Sequence, residues 1–581
     1  MSSFYKVGKS LGFARIVAIV ALLLTAATAF ISGKPVPLGP TIANMPRREN
    51  DSRVFLDHAD ILHKQSVDSF MVISGNVKFT KGPMIMFCDS AHFFPASESF
   101  DAFGNVRMEQ GDTLFIYADE LNYRASQQMA FLYADPGKKV RMINRDVTLE
   151  TDEFIYDLGI EVGYYNTGGV LYDKQNRLTS IEGEYVPATK DANFYSDVVL
   201  FSHGDSDTLV IFSDSLFYNT DTHIAILQSP SEIINKRGTI YTSDGMYDTV
   251  LDTAALYMQS VIHTPEGRTL TADTIYYDRI QGRGECFGNM LMTDSVHQSS
   301  LFADYGFFYD PIDSAYATGS LLIKEYSQGD TLYLHGKQIN IHRLITENQI
   351  EVPLDSAVIA DSLALDSSYV AVPQIIIEKD TTSVADIWPR VRFYRSDMQG
   401  LCDSMRITQS DSTLRMYIKP VVWSGERQIT GTVIEFHVND STIDFARVPE
   451  QGFMAERLSG DFYNQMSGKE FIARFVDGNL RQLDINGNVE FIMYPEENDS
   501  TINKQVNATS SFMTALFSKN NTEYVKLWPE TGGKVTPLFL IRRSMLFLPK
   551  FKWLNGIRPL SPSDVMIVPP EMDALMEEVD G

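Results

Sequence analysis

From about Val72 to Phe308 the chain alternates apolar and polar residues with a period of two, and short punctuation interrupts the alternation at regular intervals. A period of two puts one parity on each face of a β-strand. The stretch GDTLFIYADELNY, Gly111 to Tyr123, shows the pattern: after Asp119, Leu121 and Tyr123 fall on one face and Glu120 and Asn122 on the other. The same parity returns at Asp214-Leu216-Tyr218 and Asp273-Ile275-Tyr277.

Aligned on their acidic residue, the copies fall at Asp89, Asp119, Asp152, Glu182, Asp214, Asp244, Asp273 and Asp304, separated by 30, 33, 30, 32, 30, 29 and 31 residues. A fixed period near 30 residues marks stacked supersecondary units. A second motif runs out of phase with the first: Gly75-Asn76-Val77, Gly104-Asn105-Val106, Gly288-Asn289-Met290 and, much later, Gly487-Asn488-Val489. Both Gly and Asn tolerate positive φ, so the motif predicts a turn that launches a strand. Each unit is then at least two strands, and Thr, Tyr, Phe and Val enrichment disfavours helix. The prediction is all-β, an elongated repetitive antiparallel jellyroll of ~30-residue strand-turn units.

The template covers residues 51–345. It lapses over an acidic stretch, 346–389, read as a linker or loop insertion, and returns over 390–550 with Leu401-Cys402-Asp403-Ser404 in the same slot. Residues 551–581 are proline-rich and acidic and read as a C-terminal tail. At the other end Lys6, Lys9 and Arg15 precede an apolar run from Ile16, and Ala27-Thr28-Ala29 offers a cleavage site. Residues 1–29 therefore read as a signal peptide, or as an N-terminal inner-membrane anchor if 16–31 is not removed, followed by a linker over 30–50. Either way the chain is exported.

Composition narrows the partners. The chain has 581 residues and a net charge of −26, so it repels nucleic acid and anionic membrane surfaces. Three cysteines, Cys88, Cys286 and Cys402, make no disulfide framework or zinc spacing and read as small buried side chains. The histidines form no HExxH, and no GxSxG elbow or phosphate loop occurs, so no enzyme and no cofactor is expected. One aspartate per unit is too sparse for a calcium loop; each is expected to cap a turn or accept from a neighbouring backbone N–H.

The phased Gly-Asn-Val and Ala-Asp-x-Leu-x-Tyr motifs resemble the organic-solvent-tolerance (OstA-like) domain of lipopolysaccharide-transport periplasmic proteins, in the large form found in Bacteroidetes-type bacteria. The resemblance spans Val54 to Ile341 and, more loosely, Val391 to Tyr494. It implies a twisted, half-open β-jellyroll (a β-taco) whose apolar interior accepts the acyl chains of lipid A during outer-membrane assembly. It also implies a periplasmic location and partners of the same fold: related β-jellyroll domains of inner-membrane-anchored and outer-membrane transport proteins. Unpaired edge strands add end-to-end self-association.

An acyl chain offers no polar group to recognise, so the expected site is a continuous apolar trough. Its lining would be Leu121, Tyr123, Phe154, Tyr156, Leu216, Tyr218, Ile275 and Tyr277. From the Gly-Asn strands Val77, Phe79, Val106, Met108, Met290 and Met292 would oppose them. No Lys/Arg cluster occupies a fixed slot, which leaves acyl chains, divalent-cation bridging or scattered residues such as Lys138, Lys139 and Arg141 to carry recognition. The rival reading is a structural or adhesive exported β-repeat scaffold, in which the same stripe is a closed, dry core.

Overall fold

The computed structural model of the protein describes residues 53–64, 70–203, 208–312, 314–326, 330–352, 374–438, 443–458, 460–476, 479–495, 501–518 and 521–577. The predicted leader and linker lie outside them. The described residues are nearly all strand and fall into two compact units, one ending at Phe287 and the other beginning at Gly288.

The first unit consists of two antiparallel ladders that share their long strands. Met71–Lys81, Met84–Phe94, Ser99–Gln110 and Leu114–Arg124 each contribute one half to either ladder. Short strands then extend the two ladders separately. Met129–Tyr133, Glu153–Asp157, Val162–Tyr165 and Glu182–Val186 continue one. Val140–Asn144, Val147–Thr151, Gly169–Tyr172 and Asn176–Ser180 continue the other. Asp191–His203 and Thr208–Asn219 rejoin both.

Where a long strand passes between ladders it bends, and there the Gly-Asn motif does something other than expected. It is a kink inside one strand rather than a turn between two. Gly75 (φ 83°) and Asn76 (φ 46°) lie within Met71–Lys81, and Gly104 (φ 75°) and Asn105 (φ 44°) within Ser99–Gln110. The pairing register slips at each, between Ser74 and Val77 and between Phe103 and Val106. Two left-handed residues in succession add a bulge that turns the strand. In Asp191–His203, which lacks the motif, Ser196 (φ 63°) and Asp197 (φ 53°) make the same kink.

The two sequence motifs are halves of one joint. Asp89 of one strand accepts from the Asn105 side chain of the next at 2.7 Å, and Asp60 accepts from Asn76 at 3.0 Å. A Cβ on Gly104 would stand 2.5 Å from an Asp89 oxygen, on Gly75 2.3 Å from Asp60, and on Gly319 2.6 Å from Asp304. The aspartate sits where a side chain would go, so the position opposite it must be glycine.

The second unit repeats the plan through Asn479–Met493, kinked at Gly487 and Asn488. The acidic stretch 346–389 opens and closes as strand: Gln338–Val352 pairs along its length with Gln374–Trp388, and 353–373 lie outside the described residues. The chain beyond Leu538 is packed through Glu577. Leu548, Phe551 and Trp553 join Phe453, Ala455, Ile492 and Tyr494, while Ile557 and Met572 close over Leu401, Val421 and Trp423. Side chains of the sheet hold the backbone of this strap. Arg392 donates to the Ile557 and Asp564 carbonyls at 3.1 and 3.2 Å, and the amides of Gln428, Gln465 and Gln505 donate to those of Lys552, Leu546 and Met545, each at 2.8 Å.

Candidate functional site

The inner faces of the first unit's two ladders are rows of register-paired side chains. In one ladder the row runs Phe79–Met86–Met108–Ile116–Met142–Leu149–Leu171–Leu178–Leu200–Ile211–Ile233–Ile240, each residue directly opposite the next. We call it the aliphatic ladder. Directly opposed residues are the closest neighbours a sheet offers, so the row is an unbroken apolar wall.

The other, the tyrosine ladder, carries two rows. The inner one includes Leu121–Leu132–Phe154 and Phe194–Leu216–Leu227, and continues with Gly245–Leu256–Ile275–Cys286. The row at the rim, farthest from the kinks, alternates tyrosine with a minimal residue: Tyr123–Ala130–Tyr156–Gly163–Tyr185–Ala192–Tyr218–Ala225–Tyr247–Ala254–Tyr277–Gly284. A ring needs the width of two strands, so a bulky residue beside it has no room. A Cβ on Gly163 would sit 2.2 Å from the Phe154 ring.

Three of the tyrosine hydroxyls reach the facing ladder, while Tyr247 donates to Asp252 in its own. Tyr156 donates to the Gln110 side-chain carbonyl at 3.1 Å, Tyr185 accepts from Asn144 at 3.0 Å, and Tyr218 accepts from Asn176 at 2.7 Å and donates to Asp173. Gln110, Asn144 and Asn176 end strands of the aliphatic ladder, one per hairpin. At the first rung the pattern changes: the Lys81 ammonium lies 5.3 Å from the centre of the Tyr123 ring, and the Tyr123 hydroxyl has no hydrogen-bond partner. Burial pushes the Tyr123 phenol up to about 12, and it also raises Tyr156, Tyr185, Tyr218 and Tyr247. All five therefore remain protonated at neutral pH.

Of the predicted lining, Val77, Phe79, Val106, Met108, Leu121, Tyr123, Phe154, Tyr156, Leu216, Tyr218, Ile275, Tyr277 and Met290 are buried, and Met292 is half-buried. The two walls touch: Phe79 of one ladder stacks on Phe100 of the other with ring centres 4.3 Å apart. Residues singled out by charge lie elsewhere. Lys138 pairs with Asp119 and Asp135, Lys139 with Asp152, and Arg141 stacks over Tyr117 on the outward parity. A separate hollow of about 550 Å³ reaches that outward side, lined in part by Val199, Phe212, Glu232, Tyr241 and Val261.

Sequence reasoning found the tyrosines by their repeat slot but not their partners. Gln110, Asn144 and Asn176 have no common motif; what they share is a place at the end of a hairpin. Their one visible trace is an amide among the aliphatic residues of the inward parity. The three cysteines are buried free thiols, as expected, Cys88 and Cys402 in the same slot of the repeat, and burial raises the thiols of Cys88 and Cys286 to about 12.

Residues 51–204 and 201–280 match the model of the OstA-like protein family. No curated protein matches the chain. Among solved structures, LptH aligns at 12% identity and a TM-score of 0.15, covering 24% of this chain and 79% of that one. LptH is described as the LptA homologous periplasmic component of the conserved lipopolysaccharide transport device from Pseudomonas aeruginosa. Over residues 51–280, and there alone, this chain is similar to the OstA-like proteins.

Proposed function

We propose that the protein is a periplasmic bridge of lipopolysaccharide transport that shields lipid A acyl chains between the two ladders. The observation that carries the reading is the unbroken apolar row of the aliphatic ladder facing the apolar segments of the tyrosine ladder, the two joined on one side by kinked strands and on the other only by side-chain contacts. A core that needs one rim held by removable polar bonds is suited to parting. The energetics allow it: each buried methylene contributes about 0.8 kcal/mol, and each cross-rim hydrogen bond about 1 kcal/mol. An acyl chain of about twelve carbons would therefore contribute roughly 10 kcal/mol, against roughly 7 kcal/mol for the hydrogen bonds that cross the rim at the three rungs.

Edge physics supports partners of the same fold. Among the described residues, Phe55–His58 and Ile61–Lys64 pair only with Met71–Lys81 and leave Phe55, Leu56, Ile61 and Leu62 exposed. Asn521–Trp528 and Gly532–Pro537 pair only with Lys504–Ser518. Such edges accept another strand, which fits end-to-end pairing with inner-membrane-anchored and outer-membrane jellyroll domains or with a second copy. No helix among the described residues is long and apolar enough to cross a membrane.

The competing reading, a structural or adhesive scaffold, draws on the closure of the same walls, Phe79 against Phe100. Photocrosslinking in cells separates the two. Benzophenone at Leu121, Leu216 or Ile275 should form lipopolysaccharide adducts, and at Glu120 or Ser215, on the opposite parity, should not. Adducts at neither set in folded, exported protein would leave only the scaffold.

A further inference from the structure

We propose that the tyrosine–amide row is a lateral seam. Acyl chains enter between the ladders sideways, by the parting of the Tyr156–Gln110, Tyr185–Asn144 and Tyr218–Asn176 rungs, and not by threading from an end. The proposal rests on the acyl-chain reading above and adds the route.

Three observations meet in it. The rungs repeat once per hairpin on each side, at 3.1, 3.0 and 2.7 Å, and the second and third are reinforced across the same rim by Asn144 to the Pro187 carbonyl, Asn176 to Thr249, and Tyr218 and His223 to Asp173; the Tyr156–Gln110 rung has one hydrogen bond. Two strand spacings separate successive tyrosines, about 10 Å, so opening one rung uncovers a gap wider than an acyl chain. Ala130, Gly163, Ala192 and Ala225 are the directly opposed neighbours of Tyr156, Tyr185 and Tyr218, so no two of these three rings stand side by side in the row and each rung can part separately. The opposite margin cannot part this way, because it is continuous backbone kinked at Gly75-Asn76 and Gly104-Asn105.

The test is the loading rate of pyrene-labelled palmitate into the full-length mature protein, followed by stopped flow. Tyr156→Phe removes the hydroxyl and keeps the ring; Gln110→Leu removes its partner. Either change should raise the rate about fivefold, the weight of one hydrogen bond. The double variant should also load about fivefold faster, not the roughly twenty-five-fold of independent effects. Tyr117→Phe, on the outward parity under Arg141, should load at the wild-type rate. If wild type loads and the Tyr156 and Gln110 variants load no faster, the seam is wrong and the groove stands. If no protein, wild type included, takes up the probe, the groove reading itself fails. Thermal melts followed by circular dichroism establish that each variant is folded.

Discussion

The joint between Asp89 and Gly104 makes a prediction that can be worked through in numbers. Gly104 has φ 75°, and a Cβ there would lie 2.5 Å from the Asp89 Oδ2. Gly104→Ala therefore pays twice. The left-handed backbone costs a residue with a Cβ about 1–2 kcal/mol. The carboxylate must also swing away, losing its bond to Asn105, about 1 kcal/mol more. The sum is about 2–3 kcal/mol. Gly82 is the internal control, because it has φ 55° and nothing within 4 Å of its Cβ position. Gly82→Ala should cost only the backbone share, about 1–2 kcal/mol. Removing the obstacle should remove the excess: added to Asp89→Ala, Gly104→Ala should again cost only the backbone share. Native-state hydrogen exchange reads these costs locally, in the amides of Ser99–Gln110 for Gly104→Ala and of Met71–Lys81 and Met84–Phe94 for Gly82→Ala, which suits a repeat chain. Equal costs for Gly104→Ala and Gly82→Ala, or no relief from Asp89→Ala, would refute the joint.

Three further outcomes follow from the same coordinates. Gly163→Ala places a methyl against the Phe154 ring and should destabilise the strand pair by about 1–3 kcal/mol, with Phe154→Leu restoring most of it in the same exchange measurement. The Tyr123 phenol titrates at about 12 when folded against an ordinary value near 10. A raised folded value stabilises fully below pH 10 and is lost between pH 10 and 12, so tyrosinate absorbance of the native protein should lag that of the unfolded chain across this window; coincident curves would contradict the burial. Arg392→Ala leaves the Ile557 and Asp564 carbonyls without their donor, at about 1–3 kcal/mol, and should loosen the strap. All four tryptophans, Trp388, Trp423, Trp528 and Trp553, lie in the second unit. Red-shifted emission and earlier proteolysis beyond Leu538 are the expected signs.

The sequence by itself determined whatever depends on local periodicity. Alternation assigned each parity to a face, and the period near 30 residues placed Leu121, Leu216 and Ile275 in equivalent inward positions. The resemblance to OstA-like domains rests on the same repeated residues. The tertiary structure decided how the motifs meet. Asp89 and Gly104 are fifteen residues apart, and only strand register brings the carboxylate into the space a Cβ would take. The Gly-Asn pair reads as a turn because positive φ is common to turns and bulges, and the pairing of the flanking residues on both sides is what makes it a kink. Asn144 and Tyr185 are 41 residues apart and on different ladders, so no local pattern links them. The C-terminal arm reads as a tail because its prolines and acids suppress regular structure. It packs nonetheless, because Arg392, Gln428, Gln465 and Gln505, which show no pattern along the chain, line up on one sheet face and supply its backbone with hydrogen bonds. Periodicity is a property of neighbours along the chain; which rows face each other is set by the kinks that carry one strand into two ladders.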